Sequence, residues 1–180
     1  MIVGHLGVAA GLVRWRPRAS PGWIVAATFA PDVLDVGYAA AGVCSPYGLY
    51  SHTLPAALLC GVALAGGAWL LGRRDTALIL PVAVLLHLPP DFVTGHKLLW
   101  PGGELHGLRL YDHRLADFLL ESALVAAGWL LLRDRVSALA RARVAQGALM
   151  LVAAQGVANG VLNMGLKPTA CASSSRLGLP

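Results

Sequence analysis

The chain has 180 residues, enough for one domain with a buried core, and it is poor in charge. Hydrophobic residues make up 57% of it and charged residues only 13%, against roughly a quarter in ordinary soluble domains. Between Val36 and Gly72 the one side chain that titrates near neutrality is His52. This composition excludes an ordinary charge-rich soluble domain and favours a membrane protein. The net charge of +5 forms no basic stripe, so it does not favour nucleic acid as a partner.

Six apolar segments follow one another along the chain, and Ala, Leu, Val and Gly dominate them. They cover about residues 2–13, 21–43, 53–72, 76–88, 115–132 and 144–164. This pattern predicts an all-α helical bundle, embedded in or associated with a membrane. We expect a single domain over residues 1–166 and a disordered tail over residues 167–180. The first and fourth segments have 12 and 13 residues, short of the roughly 20 that cross a bilayer.

Arginines gather in the turns after the first, third and fifth segments. They are Arg14, Arg16 and Arg18, then Arg73 and Arg74, then Arg133, Arg135, Arg141 and Arg143. If the segments alternate in direction, all three basic turns lie on one side of the membrane, the cytoplasmic side by the positive-inside rule. Most of the histidines then lie at the other, non-cytoplasmic end, together with two carboxylates. These residues are His5, His52, His96, His113, Asp35 and Asp91.

The stretch from His87 to Pro101 puts two histidines and a carboxylate within ten residues, at the end of an apolar segment. His87 and Asp91 are four residues apart, so a helical backbone brings both side chains to one face, within reach of one ion. Imidazole nitrogen and carboxylate oxygen are ligands that suit Zn²⁺ and similar divalent metals. Pro89 and Pro90 lie between them and leave open whether Asp91 starts a new helical piece. A polar helix end at a membrane boundary is the simpler alternative.

Asp32 and Asp35 lie in the second apolar segment, just after Pro31. A carboxylate in apolar surroundings is costly unless it is paired, protonated or bound to a metal ion. A helix cap is the simpler explanation for Asp32 alone. Two such carboxylates favour a functional site. His5, in the first segment, would by itself be incidental.

His52 precedes the third segment, where Ser51 or Thr53 can cap the helix, so His52 is free to face a site. His113 and Asp117 repeat the His-x-x-x-Asp spacing at the start of the fifth segment. A pair in an interfacial polar belt is the alternative there. Together these residues are more His and Asp than an apolar bundle needs, and short turns can bring them to one end of it.

Several short motifs resemble the YdjM-type membrane-bound metal-dependent hydrolases. They are Gly4-His5-Leu6, Pro31-Asp32, Ser51-His52-Thr53-Leu54, and His87-x-x-x-Asp91 followed by Thr94-Gly95 and Leu98-Leu99-Trp100-Pro101. The order of the His and Asp residues is similar, more distantly, to that of zinc-dependent phospholipases C and trinuclear-zinc nucleases, which are all-helical enzymes. The resemblance implies an inner-membrane hydrolase of ester bonds.

The resemblance also implies a set of metal ligands. One metal pair would be held by His52, His87, Asp91 and either Asp32 or Asp35, with His5 adding to it. A further site would be completed by His96, His113 and Asp117. We therefore expect one to three divalent ions, with Zn²⁺ fitting best.

The expected reaction is attack on a phosphoester by a water that the metal ion activates. Asp91, Asp35 and His52 are the expected catalytic residues, with either carboxylate as bridging ligand or base. A lipid phosphoester is an attractive substrate because the site would lie near the headgroups, and the bilayer is the expected partner. No protein partner is indicated. The alternative is a non-enzymatic membrane protein that uses the His and Asp residues as a proton or ion relay or as a regulatory metal site. Motifs of nucleophilic or nucleotide-dependent catalysis are absent from the sequence.

Overall fold

A computed structural model describes residues 3–135 and 137–161. The helices are α1 (Gly4–Trp15), α2 (Pro21–Ala40), α3 (Leu54–Leu70), α4 (Arg74–Ala77), α5 (Leu80–Leu85), α6 (Leu88–Thr94), α7 (Arg114–Leu132) and α8 (Ala138–Val161). Short 3₁₀ turns cover Pro46–Gly48, Leu110–Asp112 and Arg133–Arg135. A two-residue hairpin pairs β1 (Lys97–Leu98) antiparallel with β2 (Leu105–His106). The prediction of an all-α fold is confirmed for the described residues, and the predicted tail over residues 167–180 lies outside them.

Helix bounds differ from several predicted segments, and two of the differences have a clear local cause. The fourth segment was expected to end at residue 88, but helical structure continues through α4, α5 and α6 as a stretch of 21 residues, Arg74–Thr94. This happens because Pro81, Pro89 and Pro90 all fall in the first turns of short helices, where a missing N–H is tolerated. The third segment, expected over residues 53–72, forms the 17-residue α3, which ends before Gly72 adopts a positive φ of 73°.

Two helical stretches in the described part of the chain are long and apolar enough to cross a membrane, Arg74–Thr94 and Arg114–Arg135. Core helices of soluble proteins have the same length and composition, and half of the apolar window in the first stretch is buried. The two stretches therefore indicate membrane association only weakly. The expected number of spans and their direction stay predictions.

The apolar core lies between α1, α2, α3 and α5. Ile24 of α2 and Leu80 and Val84 of α5 are completely buried there. Since α5 runs directly into His87 and α6, the polar residues that follow are held against the end of this core. The core thus fixes the position of His87, the N-cap residue of α6.

Helices α1 and α7 approach each other so closely that their backbones touch. A Cβ atom on Gly128 would lie 2.7 Å from the Cα atom of Gly7, and one on Gly7 would overlap the carbonyl group of Leu124. Small residues permit such contacts between helices. The close packing brings Glu121 of α7 to the start of α1, where its Oε2 accepts hydrogen bonds from the backbone N–H groups of Val3 (2.8 Å) and Gly4 (3.1 Å).

Candidate metal centre

Four side chains from three parts of the chain converge at the end of the core. They are Asp32 of α2, His52 of the loop before α3, His87 at the N-cap of α6 and Asp91 of α6. Each offers one ligand atom, and these four atoms lie within 4.8 Å of one another. Both imidazoles are completely buried, the Asp91 side chain is 4% exposed and the Asp32 side chain is 36% exposed. Three of the four side chains are therefore shielded from solvent, and Asp32 is the one that solvent reaches.

The spacing of the ligand atoms suits a single ion. The Nε2 atoms of His52 and His87 are 3.0 Å apart, and Oδ2 of Asp91 lies 3.0 Å from the first and 3.3 Å from the second. Oδ1 of Asp32 lies 3.5 Å and 3.7 Å from the same two nitrogens. Tetrahedral ligands about 2.0–2.1 Å from Zn²⁺ are ~3.3 Å apart from each other. Little movement of these side chains is needed to surround an ion.

The two prolines do not separate His87 from Asp91. His87 has helical dihedral angles (φ −65°, ψ −37°), and α6 begins at the next residue. Pro89 and Pro90 occupy the first turn of α6, where helical N–H groups have no partner within the helix. The helical path is therefore preserved, and the four-residue spacing brings both side chains to one face.

The outer nitrogen of His87 is held by the backbone of α2. His87 Nδ1 lies 2.7 Å from the carbonyl oxygen of Thr28, and because a carbonyl only accepts, Nδ1 donates this hydrogen bond. The imidazole then presents Nε2 to the cluster as a lone pair when it is neutral. A donated outer N–H is the usual arrangement of a metal-binding histidine.

The outer nitrogen of His52 faces Asp35. Its Nδ1 lies 3.3 Å from Asp35 Oδ2 and 2.7 Å from Ser51 Oγ, and Ser51 Oγ in turn donates to Asp35 Oδ1. Burial by itself lowers the pKa of His52, but hydrogen bonds with Asp32, Asp35 and Asp91 outweigh it and raise that pKa to about 10. At neutral pH a pKa of about 10 corresponds to a proton on each nitrogen of His52. A metal ion would replace the proton on Nε2.

Neither Ser51 nor Thr53 caps α3 as expected. Thr53 occupies the N-cap position, but its side chain makes no cap hydrogen bond and donates instead to the carbonyl oxygen of Leu49 at 3.2 Å. Ser51 is completely buried against His52 and Asp35. The hydroxyl of Ser51 therefore helps to orient the imidazole.

Gly48 lies directly against the side chain of His52, and the sequence analysis did not identify it as part of the site. Gly48 has a φ of 75°, and a Cβ atom there would lie 2.7 Å from the Cβ atom of His52 and 2.8 Å from its Nδ1. Glycine meets both demands, since it adopts positive φ readily and leaves room for the ring. The combination of a turn just upstream of His52 and a glycine within it was the available signal.

His5 lies beside the cluster but outside the group of four. Its ring is stacked on that of His87, with centroids 3.9 Å apart and an interplanar angle of 9°. Its Nε2 lies 3.2 Å from the carbonyl oxygen of His87 and 3.5 Å from Asp91 Oδ1. In this position His5 supports His87 and Asp91 from the side of α1.

Other expected ligands lie apart from the cluster. Asp35 is placed behind His52, so that Asp32 is the carboxylate of α2 that faces the group. His96 is half-buried beyond α6, His113 is exposed before α7, and Asp117 is buried in the first turn of α7. Among the described residues these side chains form no second group of three or more potential ligands.

Lys97 is the cationic side chain closest to the cluster among the described residues, and sequence reasoning passed over it. Its Nζ lies 3.6 Å from Asp91 Oδ2, and the side chain is 20% exposed. Strand β1 holds Lys97 in place, and the N–H of Leu54 donates to the carbonyl oxygen of Leu99 at 2.9 Å, which ties this hairpin to the start of α3. A positive charge thus stands at the edge of the candidate metal centre.

No family model, curated protein or solved structure matches the chain. The resemblance to the YdjM-type hydrolases therefore stays a prediction. The function has to be argued from the geometry of the cluster.

Proposed function

We propose that the protein is a membrane-associated, metal-dependent hydrolase that acts on phosphoester bonds. The observation that carries the proposal is the convergence of two imidazole Nε2 atoms and two carboxylate oxygens. In addition, the Nδ1 atom of each imidazole faces a hydrogen-bond acceptor on the side away from the cluster. Imidazole nitrogen and carboxylate oxygen at this spacing suit Zn²⁺, which is the ion we propose.

The ion would supply Lewis acidity to a water and to the substrate oxygen at the centre. His52, His87 and Asp91 would hold it, since they are buried and their ligand atoms lie closest together. Asp32 is the exposed member, so it is the carboxylate best placed to meet a water and accept its proton. Asp35, expected to be catalytic, is assigned instead to the positioning of His52.

The choice of a phosphoester rests on Lys97 and on the resemblance. An ammonium group beside the centre stabilises an anionic oxygen on the substrate, and phosphodiesters carry such an oxygen at neutral pH. The same ammonium lies 3.6 Å from Asp91 Oδ2. Once an ion neutralises Asp91, Lys97 would be available to the substrate.

The membrane part of the proposal is supported by the position of the cluster. His87 and Asp91 lie near the C-terminal end of the apolar stretch Arg74–Thr94, while Arg74 begins it. If this stretch crosses the inner membrane with its basic end in the cytoplasm, the centre lies at the non-cytoplasmic surface, close to lipid headgroups. A lipid phosphoester is then within reach of the centre.

Hydrolysis of bis(p-nitrophenyl) phosphate by detergent-purified, zinc-loaded protein tests the proposal. We expect metal-dependent hydrolysis that a chelator abolishes and that His52→Ala removes, while His113→Ala leaves it unchanged.

Asp32→Asn should lower kcat by about 100-fold or more if Asp32 accepts the proton. Lys97→Met should raise KM for this anionic substrate and leave hydrolysis of the neutral ester p-nitrophenyl acetate unaffected. Full activity in His52→Ala would contradict the proposal.

A proton relay is the second candidate, and one observation favours it. Three buried imidazoles surround Asp91, whose Oδ1 lies 3.5 Å from His5 Nε2 and whose Oδ2 lies 3.0 Å from His52 Nε2 and 3.3 Å from His87 Nε2. A relay would give pH-driven proton flux in liposomes that persists after metal removal. A hydrolase would show neither, so flux and hydrolysis measured on the same preparation separate the two functions.

A further inference from the structure

Three arginines surround a cavity far from the candidate metal centre. The cavity has a volume of about 720 Å³ and lies where the turn before α2 meets the turn between α3 and α4. Arg18 approaches it from the first turn, Arg73 from the second, and Arg74 from the first residue of α4. Asp75 is the one carboxylate in its lining, so the cavity carries an excess of positive charge.

Among the residues that the structure describes, no carboxylate forms an ion pair with the guanidinium groups of this cavity. Within the part of the chain that the structure describes, arginine pairs with carboxylate elsewhere, at Arg109–Asp112 and Arg133–Asp134. Arg74 instead lies over the ring of Trp69, 5.3 Å from its centroid, which orients the side chain while leaving its N–H donors free of a carboxylate.

The walls of the cavity are tied together by the backbone. The N–H of Ser20 donates to Thr76 Oγ1 at 2.9 Å, which joins the start of α2 to α4. Ser20 is the N-cap of the 20-residue α2 and makes no side-chain cap hydrogen bond. The positive end of this long helix therefore adds to the potential of the three arginines.

We propose that this cavity binds the phosphate group of an anionic ligand. Guanidinium groups form paired hydrogen bonds with phosphate oxygens, and three of them around one cavity exceed the charge of a single phosphate. A phospholipid headgroup and a soluble phosphate ester share this chemistry.

The position of the cavity favours a lipid as the source of the phosphate. Arg74 is the first residue of the apolar stretch Arg74–Thr94, so the cavity lies where this stretch would leave the hydrocarbon of a bilayer. Basic pockets at that level bind anionic headgroups. His87 is 13 residues further along the same stretch, about 20 Å away at the helical rise. The inference is thus independent of the metal centre.

Thermal unfolding of the full chain in detergent micelles tests the inference, because a ligand that binds the native state raises its melting temperature. The probes are phosphatidylglycerol, phosphatidylcholine with the same acyl chains, and inorganic pyrophosphate. We expect phosphatidylglycerol to raise the melting temperature by several degrees and phosphatidylcholine to have no such effect. The Arg73→Gln/Arg74→Gln variant should lose the rise, and Arg73→Lys/Arg74→Lys should retain part of it.

The matched control removes the same charge from another turn of the same predicted side, as Arg133→Gln/Arg135→Gln. It should keep the full rise, because both arginines lie outside the cavity. A response to pyrophosphate alone would identify a soluble phosphate as the source. Equal loss in both double variants, or no response to either anionic probe, would overturn the inference.

Discussion

The chain contains the His-x-x-x-Asp spacing twice, and the structure places one copy inside the metal cluster and the other outside it. His87 and Asp91 both enter the cluster, with His87 Nε2 lying 3.3 Å from Asp91 Oδ2. His113 is exposed while Asp117 is buried, although Asp117 donates its N–H to the carbonyl oxygen of His113 at 3.0 Å. The difference lies in the backbone of the histidine, which is helical at His87 (φ −65°, ψ −37°) and not at His113 (φ −116°, ψ 74°). A four-residue spacing brings two side chains together only where the first residue already belongs to the helical path.

Buried carboxylates show the same contrast. Asp91 faces two imidazoles, whereas Glu121 accepts two backbone N–H groups at the N-terminus of α1. A carboxylate at a helix N-terminus is stabilised by the helix dipole and by the unpaired N–H groups there. Burial of an acidic residue among apolar helices therefore does not by itself indicate a metal ligand.

The largest expected effect is on zinc affinity, and it should differ between the two copies of the His-x-x-x-Asp spacing. His87→Ala should lower zinc affinity by more than the roughly 10–100-fold that loss of an outer hydrogen-bond partner costs, because it removes a ligand itself. His113→Ala should leave the affinity unchanged. Competition with a chromophoric zinc chelator measures both. A comparable loss in the two variants would mean that both copies bind metal.

A smaller loss of zinc affinity is expected when Asp35, the partner of His52 Nδ1, is replaced. Asp35→Asn should weaken zinc binding by about 10–100-fold while keeping the stoichiometry at saturation, because the asparagine no longer holds Nδ1 of His52 with a charge. Asp112→Asn, at an exposed carboxylate, is the matched control and should have no effect. If Asp35→Asn abolished binding at saturation, Asp35 would be a ligand and not a positioning residue.

A comparison of two glycines with positive φ tests whether the turn that contains Gly48 positions His52. Gly48→Ala and Gly42→Ala both introduce backbone strain of about 1–2 kcal/mol, since their φ angles are 75° and 71°. A new Cβ atom meets His52 at Gly48 but meets nothing within 4 Å at Gly42. We expect both variants to melt at lower temperature and Gly48→Ala alone to lose zinc affinity. Equal zinc affinity in the two variants would argue against this packing role.

The smallest expected effect is at the capping carboxylate. Glu121→Gln should lower the free energy of unfolding by ~1 kcal/mol, because an amide oxygen still accepts the two hydrogen bonds but carries no charge for the helix dipole. Zinc affinity should stay unchanged. Glu104→Gln, at an exposed position, controls for the change in net charge. A loss of zinc in Glu121→Gln would place Glu121 in the metal centre.

Part of this structure could be predicted from the sequence. Apolar composition predicted the helices, because side chains without polar groups leave the backbone to satisfy its own hydrogen bonds. The four-residue spacing predicted that His87 and Asp91 share one face of a helix, which is a local signal. That His52 belongs to the same site was implied by the family resemblance.

The rest depends on contacts between distant parts of the chain. Asp32 and Asp35 lie on similar faces of α2, and the choice between them depends on the orientation of His52. That orientation is set by Gly48 and Ser51, which belong to a turn without periodic structure. Lys97 reaches the centre only because a hairpin returns it there. No spacing rule contains such information.

The central claim is that the cluster of His52, His87, Asp91 and Asp32 takes up one divalent ion, held by the first three. The most direct test is the metal content per chain of protein purified in detergent and incubated with excess zinc, then freed of unbound metal and measured by elemental mass spectrometry. We predict one zinc ion per chain in the native protein and in His113→Ala, and none in the His87→Ala/Asp91→Ala double variant. No bound zinc in the native protein, or two or three ions per chain, would contradict the single-ion site.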